Sequence, residues 1–401
     1  MKKIELLAPA GDMEKLKAAI YFGADAVYFA GKKFGLRAFS TNFESDEMKD
    51  AVDYAHSHNV KCYITVNILA HDNDFEGLRE YLEYLDKIGV DGVIVADMGI
   101  AHFVKEYTNL ELHVSTQANI TNSETAKMWV KLGATRLVLA REMSIEEVKK
   151  IKQAVGDDIE IECFCHGAMC ISYSGRCLLS NYFTGRDSNR GACAQPCRWG
   201  YALCSENKPN EFFPVCEDEK GTYILNSKDM CLINHLKELV DAGITSFKIE
   251  GRMKSPYYVA TVVNAYKRAF NDLFSNKEPQ FDYEKELEKS SHRLFTTGFY
   301  FGATDKSNIK SSMPVQTHEF MAIVLEETKD GYALIEMRNR FKVGDTLEVL
   351  SPTDNFNKQI IVSEMKDEEG NLIEDALRVQ QKIYLKTDLD LKPNDILRKE
   401  I

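Results

Sequence analysis

The sequence contains no apolar run approaching the eighteen residues that a membrane span requires. It also lacks a secretory leader pattern, because Glu5 follows Met1-Lys2-Lys3-Ile4 before an apolar core can build. A cytoplasmic location is therefore the expectation. Positive charge is scarce as well: 50 Lys and Arg stand against 62 Asp and Glu, a formal net charge of −12. That balance argues against nucleic-acid binding through bulk electrostatics. No Gly-x-Gly-x-x-Gly follows the first apolar run, which instead leads into Ala8-Pro9-Ala10-Gly11-Asp12. No His-Glu-x-x-His helix and no Gly-x-Ser-x-Gly elbow occur either. These absences count against a dinucleotide fold, a zinc protease and a serine hydrolase.

What is present is an ordinary globular composition, 44% hydrophobic and 28% charged, over 401 residues. That length suggests two domains. Short apolar runs recur at Ile4–Leu7, Asp25–Ala30, Cys62–Val66, Asp91–Ala96, Leu112–Ser115, Arg136–Leu139, Ile159–Cys165, Tyr223–Leu225 and Ser246–Ile249. Between them lie amphipathic stretches such as Met13–Gly23, Glu47–His58, Phe75–Ile88, Ser123–Leu132 and Ser144–Val155. Alternation of buried strand and helix at this spacing means βαβ units and a parallel sheet. An open sheet or a closed (β/α)8 barrel would both fit, and the missing dinucleotide turn favours the barrel. Nine runs are one too many for it, so one lies outside the barrel or is not a strand.

After Gly302 the pattern changes. Residues 303–316 read as a polar linker, and 317–401 as a small all-β domain, expected to be a barrel. Period-two alternation, an Asp330-Gly331 hairpin turn and a Gly370-Asn371 turn support it. The expected layout is a TIM-barrel-like domain over 1–302 with a cysteine-rich insertion at about 163–222, then linker, then β domain.

In a barrel the chemistry belongs at the C-terminal ends of the strands. Those positions carry Asn67, Asp97, Gln117, Asn119, Arg141, Glu142, His166, Asn226, Lys228, Asp229, Glu250, Arg252 and Lys254. The run Glu250-Gly251-Arg252-Met253-Lys254 mixes acid and base at a strand end, which suits an anionic ligand.

Cys62 stands alone, while the other nine of ten cysteines fall between 163 and 231. In a reducing compartment such clustering points to metal or redox chemistry rather than disulfides. The same region is a basic island: residues 163–204 hold Arg176, Arg186, Arg190 and Arg198 against Asp187 alone. Four readings compete. Structural zinc wants Cys-x2-Cys knuckles, and the gaps here differ. A nucleophilic cysteine activated by His166 is a second. An iron–sulfur cluster tolerates wide spacing, because four thiolates need only converge on one core. Buried cysteines acting as small hydrophobes are the fourth.

The segment Glu162-x-Phe164-x-x-Gly167-Ala168-Met169-Cys170, with Gly175-x-Cys177-x-Leu179-Ser180, resembles the signature of the peptidase U32 family, the collagenase-like proteases. Leu7-Ala8-Pro9-Ala10-Gly11, Ser115-Thr116-Gln117-Ala118-Asn119, Leu139-Ala140-Arg141-Glu142 and Lys248-Ile249-Glu250-Gly251-Arg252 resemble further family motifs. The resemblance covers essentially the whole chain, including the β domain of longer members. It implies proteolysis, or hydroxylation of RNA or ubiquinone precursors, tRNA members forming 5-hydroxyuridine at the anticodon wobble position with prephenate, or a place as one subunit of a two-protein hydroxylase complex. In the hydroxylating branch four cysteines hold a 4Fe-4S cluster. Cys170-x6-Cys177-x15-Cys193-x37-Cys231 is similar to that pattern, with Cys197 as the nearest substitute. On the hydroxylating reading the rim residues His166, Glu250 and Arg252 are candidate catalytic residues, His166 or Glu250 as proton carrier. Arg141, Gln117, Asn119 and Lys254 are candidates for holding the co-substrate. The expected partner is tRNA, and beside it either a related second chain or a second copy of this one.

Overall fold

The structure is a computed structural model that describes residues 4–35, 42–170, 172–199, 202–205, 208–214, 228–302 and 314–401. Eight of the nine apolar runs are parallel strands. They are β1 (Glu5–Pro9), β2 (Ala26–Phe29), β3 (Lys61–Val66), β4 (Gly92–Val95), β5 (Glu111–Val114), β6 (Arg136–Val138), β7 (Glu160–Ala168) and, further on, β11 (Ser246–Ile249). Neighbours pair in chain order from β1 to β7, and β11 pairs in parallel with both β7 and β1, which closes the barrel. The ninth run, 223–225, lies outside the described residues, as does Asn226.

Between β7 and β11 the described chain adds β8 (Ala202–Ser205) and β9 (Lys208–Pro214), an antiparallel pair, and then β10 (Asp229–Cys231). Strand β10 runs antiparallel along the exit of β7, with Cys231 opposite His166, and β12 (Phe295–Thr296) pairs with it in parallel. Helices follow the barrel strands at Met13–Tyr21, Ser45–Ser57, Leu78–Lys87, Met98–Tyr107, Ser123–Lys131 and Ile145–Val155. Their starts are locally encoded. Asp97 accepts the Gly99 and Ile100 amides, and Ser144 with Glu147 forms a capping box. No helix among the described residues is long and apolar enough to cross a membrane.

The barrel interior is layered. Leu7, Ala26, Tyr28, Tyr63 and Ile94 form an apolar layer. Beside it sits a buried ionic group that strand alternation points inward. Arg136 pairs with Glu5 at 2.5 Å, Glu160 at 2.6 Å and Glu162 at 3.1 Å, and Lys248 pairs with Glu162 at 2.7 Å. Burial opposes charge on Glu162, but Lys248 and Arg136 overcome it and hold the carboxyl below its usual range. Burial lowers Lys248, against the pull of Glu162. Gly11 sits where a Cβ would come within 2.4 Å of the Arg252 carbonyl, so the turn after β1 can lie against the loop after β11 only as glycine.

By contact density the chain divides into two units, Met1–Leu16 with Asp25–Met253 and Arg293–Pro314, and Lys17–Ala24 with Lys254–His292 and Val315–Ile401. The second unit is β-rich. Its eight-stranded sheet is antiparallel throughout, and Met321, Ile335, Phe341, Leu347, Ile383 and Leu397 belong to its core. The Asp330-Gly331 hairpin forms as expected, both residues having positive φ between paired Lys329 and Tyr332. Fully buried Arg398 ties the sheet to Glu286 at 2.6 Å and Glu348 at 2.6 Å within this unit. Part of the expected linker, 303–313, lies outside the described residues.

Candidate active site

The segment after β7 folds back over the barrel mouth and is fixed there by named contacts. Ser174 is buried, with its amide and hydroxyl both bonded to the Glu142 carboxylate at 3.1 Å. Its hydroxyl also accepts from Thr116 at 3.3 Å. Gly175, at φ +73°, lies so close to the rim that a Cβ would meet the Gln117 carbonyl at 2.3 Å. On the other side Arg190 grips Asp74 bidentately at 2.7 and 2.8 Å, and the Leu69 amide donates to the Asn189 carbonyl. The hydrogen bond from Arg190 lowers Asp74 to about 2. Arg190 is therefore committed to an internal ion pair.

Beneath this segment lies a cavity of about 410 Å³ whose wall carries Cys170, Cys177, Cys193 and Cys197 together with Arg141, Arg186, Arg198 and Glu250. Sharing a hydrogen bond with Cys177 pushes the Cys170 thiol up, and burial adds to this. The same bond, aided by Ser172 and the Leu179 amide, lowers Cys177 to about 4. Burial raises Cys197, against the neighbouring charge of Arg198. Among the described residues no three histidine, cysteine or carboxylate side chains gather closely enough to hold a single metal ion. Four soft donors around one cavity suit a polynuclear cluster instead, because an inorganic core spreads its ligands more widely.

A second, smaller cavity of about 90 Å³ opens into the barrel mouth, lined by Tyr28, Thr65, Asn67, Phe164, Lys248 and Arg252 among others. Thr116, Gln117, Arg141 and Glu250 line both cavities, so the two adjoin. Arg141 bonds Glu250 at 2.9 Å and the Ala168 carbonyl at 2.6 Å, and its guanidinium lies 3.8 Å from the Phe164 ring centroid. Arg252, only 4% exposed, donates to Thr65 at 3.2 Å. The smaller cavity thus shows three cations, Arg141, Lys248 and Arg252, against one carboxylate, Glu250. It can hold a small anion.

Peptidase family U32 matches residues 11–310, and its C-terminal domain matches residues 316–398. The chain belongs to peptidase family U32. It is 39% identical to tRNA hydroxylation protein P1 of Bacillus subtilis, over 99% of this chain and 95% of that one. It is 33% identical to tRNA hydroxylation protein P of Escherichia coli, over 98% and 96%. A collagenase of Porphyromonas gingivalis is 34% identical over 74% of this chain and 73% of its own length.

Within this U32 chain the expected site residues do not all converge. Gln117, Arg141, Glu250 and Arg252 line one or both cavities, as do Cys170, Cys177 and Cys193. His166 is buried with its ring edge-on to Phe295 and lines neither cavity. Asn119 is a left-handed cap residue off both walls, and Lys254 donates to the Ser291 carbonyl. Cys231 is buried on β10, opposite His166, one strand from the residues that lead into Cys170. Cys163 and Cys165 are buried outside the cavity, Cys163 raised to about 12 by burial. Cys204 and Cys216 have no described side chains. Reading for rim positions missed Lys248 and Tyr28. The signal for Lys248 was a charge set inside the apolar run Ser246–Ile249.

Proposed function

We propose that this chain is a tRNA-modifying hydroxylation protein that forms 5-hydroxyuridine at the anticodon wobble position, with prephenate as co-substrate and a 4Fe-4S cluster as redox centre. The observation that carries the reading is end-to-end similarity, through both family domains, to the Bacillus subtilis tRNA hydroxylation protein. The thiol-lined cavity beside a cationic barrel mouth is the chemistry such a reaction asks for. Cys170, Cys177 and Cys193 on the cavity wall, with Cys231 buried on β10, would hold the cluster, and Cys197 stands on the same wall as the first three. Bound there, it would supply one-electron redox chemistry. Arg252 and Lys248 would bind the carboxylates of the co-substrate, and Arg141 would orient Glu250 between the two cavities. Glu250 faces both spaces and would hold or move the proton. The natural setting is cytoplasmic.

The peptidase reading rests on the family's name and on the collagenase relative. Its nucleophile–base pair is not supported by the position of His166. The deciding experiment is nucleoside analysis of tRNA from a deletion strain, alone and complemented by this chain. Loss of 5-hydroxyuridine restored by the wild type, and not by a Cys170→Ala variant, is the expected result. Unchanged nucleosides, with gelatin cleaved by the purified protein, would transfer the assignment to proteolysis.

A further inference from the structure

The cysteine segment exposes aromatic side chains to a degree the rest of the molecule does not. Tyr173, Tyr182, Phe183 and Trp199 are four of the eight exposed aromatic residues among those described, and all fall within 27 residues. Exposed rings gathered in one segment offer faces on which a planar partner can stack. Tyr173 is the most telling of them. It is 60% exposed and lines the thiol cavity. Its backbone is held firmly, because Ser174 is bonded twice to Glu142, Gly175 abuts the Gln117 carbonyl and the Arg176 amide closes a turn on the Tyr173 carbonyl. A ring mounted in this way stays at the cavity wall with more than half of the residue's surface open to solvent.

Around it arginines outnumber carboxylates: Arg141, Arg186 and Arg198 stand on the cavity wall against Glu142 and Glu250. Arg176 is exposed three residues beyond Tyr173. Arg190 is already committed to Asp74, and both Glu142 oxygens are taken by Ser174. In a chain of net charge −12 this is the place where a polyanion can approach.

We infer that one unpaired nucleotide of the RNA enters on the exposed Tyr173 side of the thiol-lined cavity, beside the cysteines proposed to hold the cluster, its base stacked on Tyr173 and its flanking phosphates held by Arg176, Arg186 and Arg198. This rests on the RNA-hydroxylation reading above and specifies how that site takes its substrate. A base inside a duplex cannot reach a walled cavity of about 410 Å³, so the target must be extruded or already single-stranded. Stacking tolerates any base, and the phosphates add affinity without sequence information. The choice of RNA would then come from contacts elsewhere.

The test uses the full chain, purified anaerobically, and two RNAs: an anticodon stem–loop, and the loop sequence annealed into a duplex. The wild type should bind the stem–loop and discriminate against the duplex. Tyr173→Ala should weaken stem–loop binding by roughly 5- to 150-fold, the range for one lost base–aromatic stack. Tyr173→Phe should restore it, and iron content and melting temperature should stay at wild-type values in both variants. With three phosphates engaged, affinity should fall with salt with a logarithmic slope of about −2, and Arg186→Gln should reduce that slope by about 0.7. Wild-type stem–loop affinity in Tyr173→Ala, with complementation of the deletion strain intact, would overturn the inference and leave RNA hydroxylation standing. Displacement of the RNA by gelatin peptides, in a strain whose tRNA never changes, would overturn both.

Discussion

Replacing Glu162 with Gln tests whether the ionic group inside the barrel is held by mutual compensation. The carboxylate is fully buried, 2.7 Å from the Lys248 ammonium and 3.1 Å from Arg136. Arg136 would keep Glu5 and Glu160, so its charge stays balanced. Lys248 would be left between the Tyr28 and Phe164 rings, at 4.4 and 5.5 Å from their centroids. Removing one member of a buried pair costs about 3–5 kcal/mol. An independent bound agrees. The stranded lysine can shed its proton, and neutralising it at pH 7 from an ordinary value of about 10.4 costs about 4.6 kcal/mol. The pH signature has a definite sign. Lys248 already sits below its unfolded value, and losing Glu162 lowers it further. In the window between its folded and unfolded values the unfolded chain binds more protons, so the variant should gain stability as pH rises from 7 toward 10. Urea denaturation of the wild type, Glu162→Gln and Glu162→Gln/Lys248→Met at pH 7 and pH 9 would measure this. The double variant should recover much of the loss, because no stranded charge remains. A single variant within about 1 kcal/mol of wild type at pH 7, or a double variant no better than the single, would refute the reasoning.

Arg252→Ala should raise the KM for the anionic co-substrate by roughly 10- to 150-fold, the worth of one charge-assisted hydrogen bond, and steady-state kinetics with purified tRNA would show it. Iron and sulfide analysis of Cys197→Ala and Cys231→Ala should find the cluster retained in the first and lost in the second; the opposite pattern would make Cys197 the fourth ligand. Asp74 is lowered to about 2 by Arg190, so its contribution to docking the cysteine segment should be complete above about pH 4 and disappear as pH falls toward 2. Hydrogen exchange at the Leu69 amide, which bonds the Asn189 carbonyl, should quicken over that window, and Asp74→Asn should show the faster rate already at pH 7.

Much of the fold could be read locally. A strand buried on both faces must be apolar and short, so eight runs declared themselves. The helix Met98–Tyr107 was harder to see, because Gly99 and His102 interrupt its apolar face. The Asp330-Gly331 hairpin was legible because two successive positive φ values are a property of the residues themselves. The candidate site was legible in kind: Arg141, Gln117, Glu250 and Arg252 lie at strand exits, which any barrel gathers at one end. Which cysteines share a wall was not, since Cys163 and Cys165 differ from Cys170 only in the strand that aims them away from the cavity.

The sequence by itself determined the strand–helix alternation, the β-rich second unit and a cysteine-rich, basic segment opening at the end of β7, because each is written in residues close together along the chain. Tertiary structure alone decided closure, through pairing of β11 with β1, over 230 residues apart in the chain. It also decided which charges are spent. Arg190 and Arg198 look alike in sequence, yet one is clamped by Asp74, 116 residues away, and the other bonds Gln195 and lines the cavity. A side chain's charge is fixed by its identity, but its availability depends on what the fold sets within reach of it.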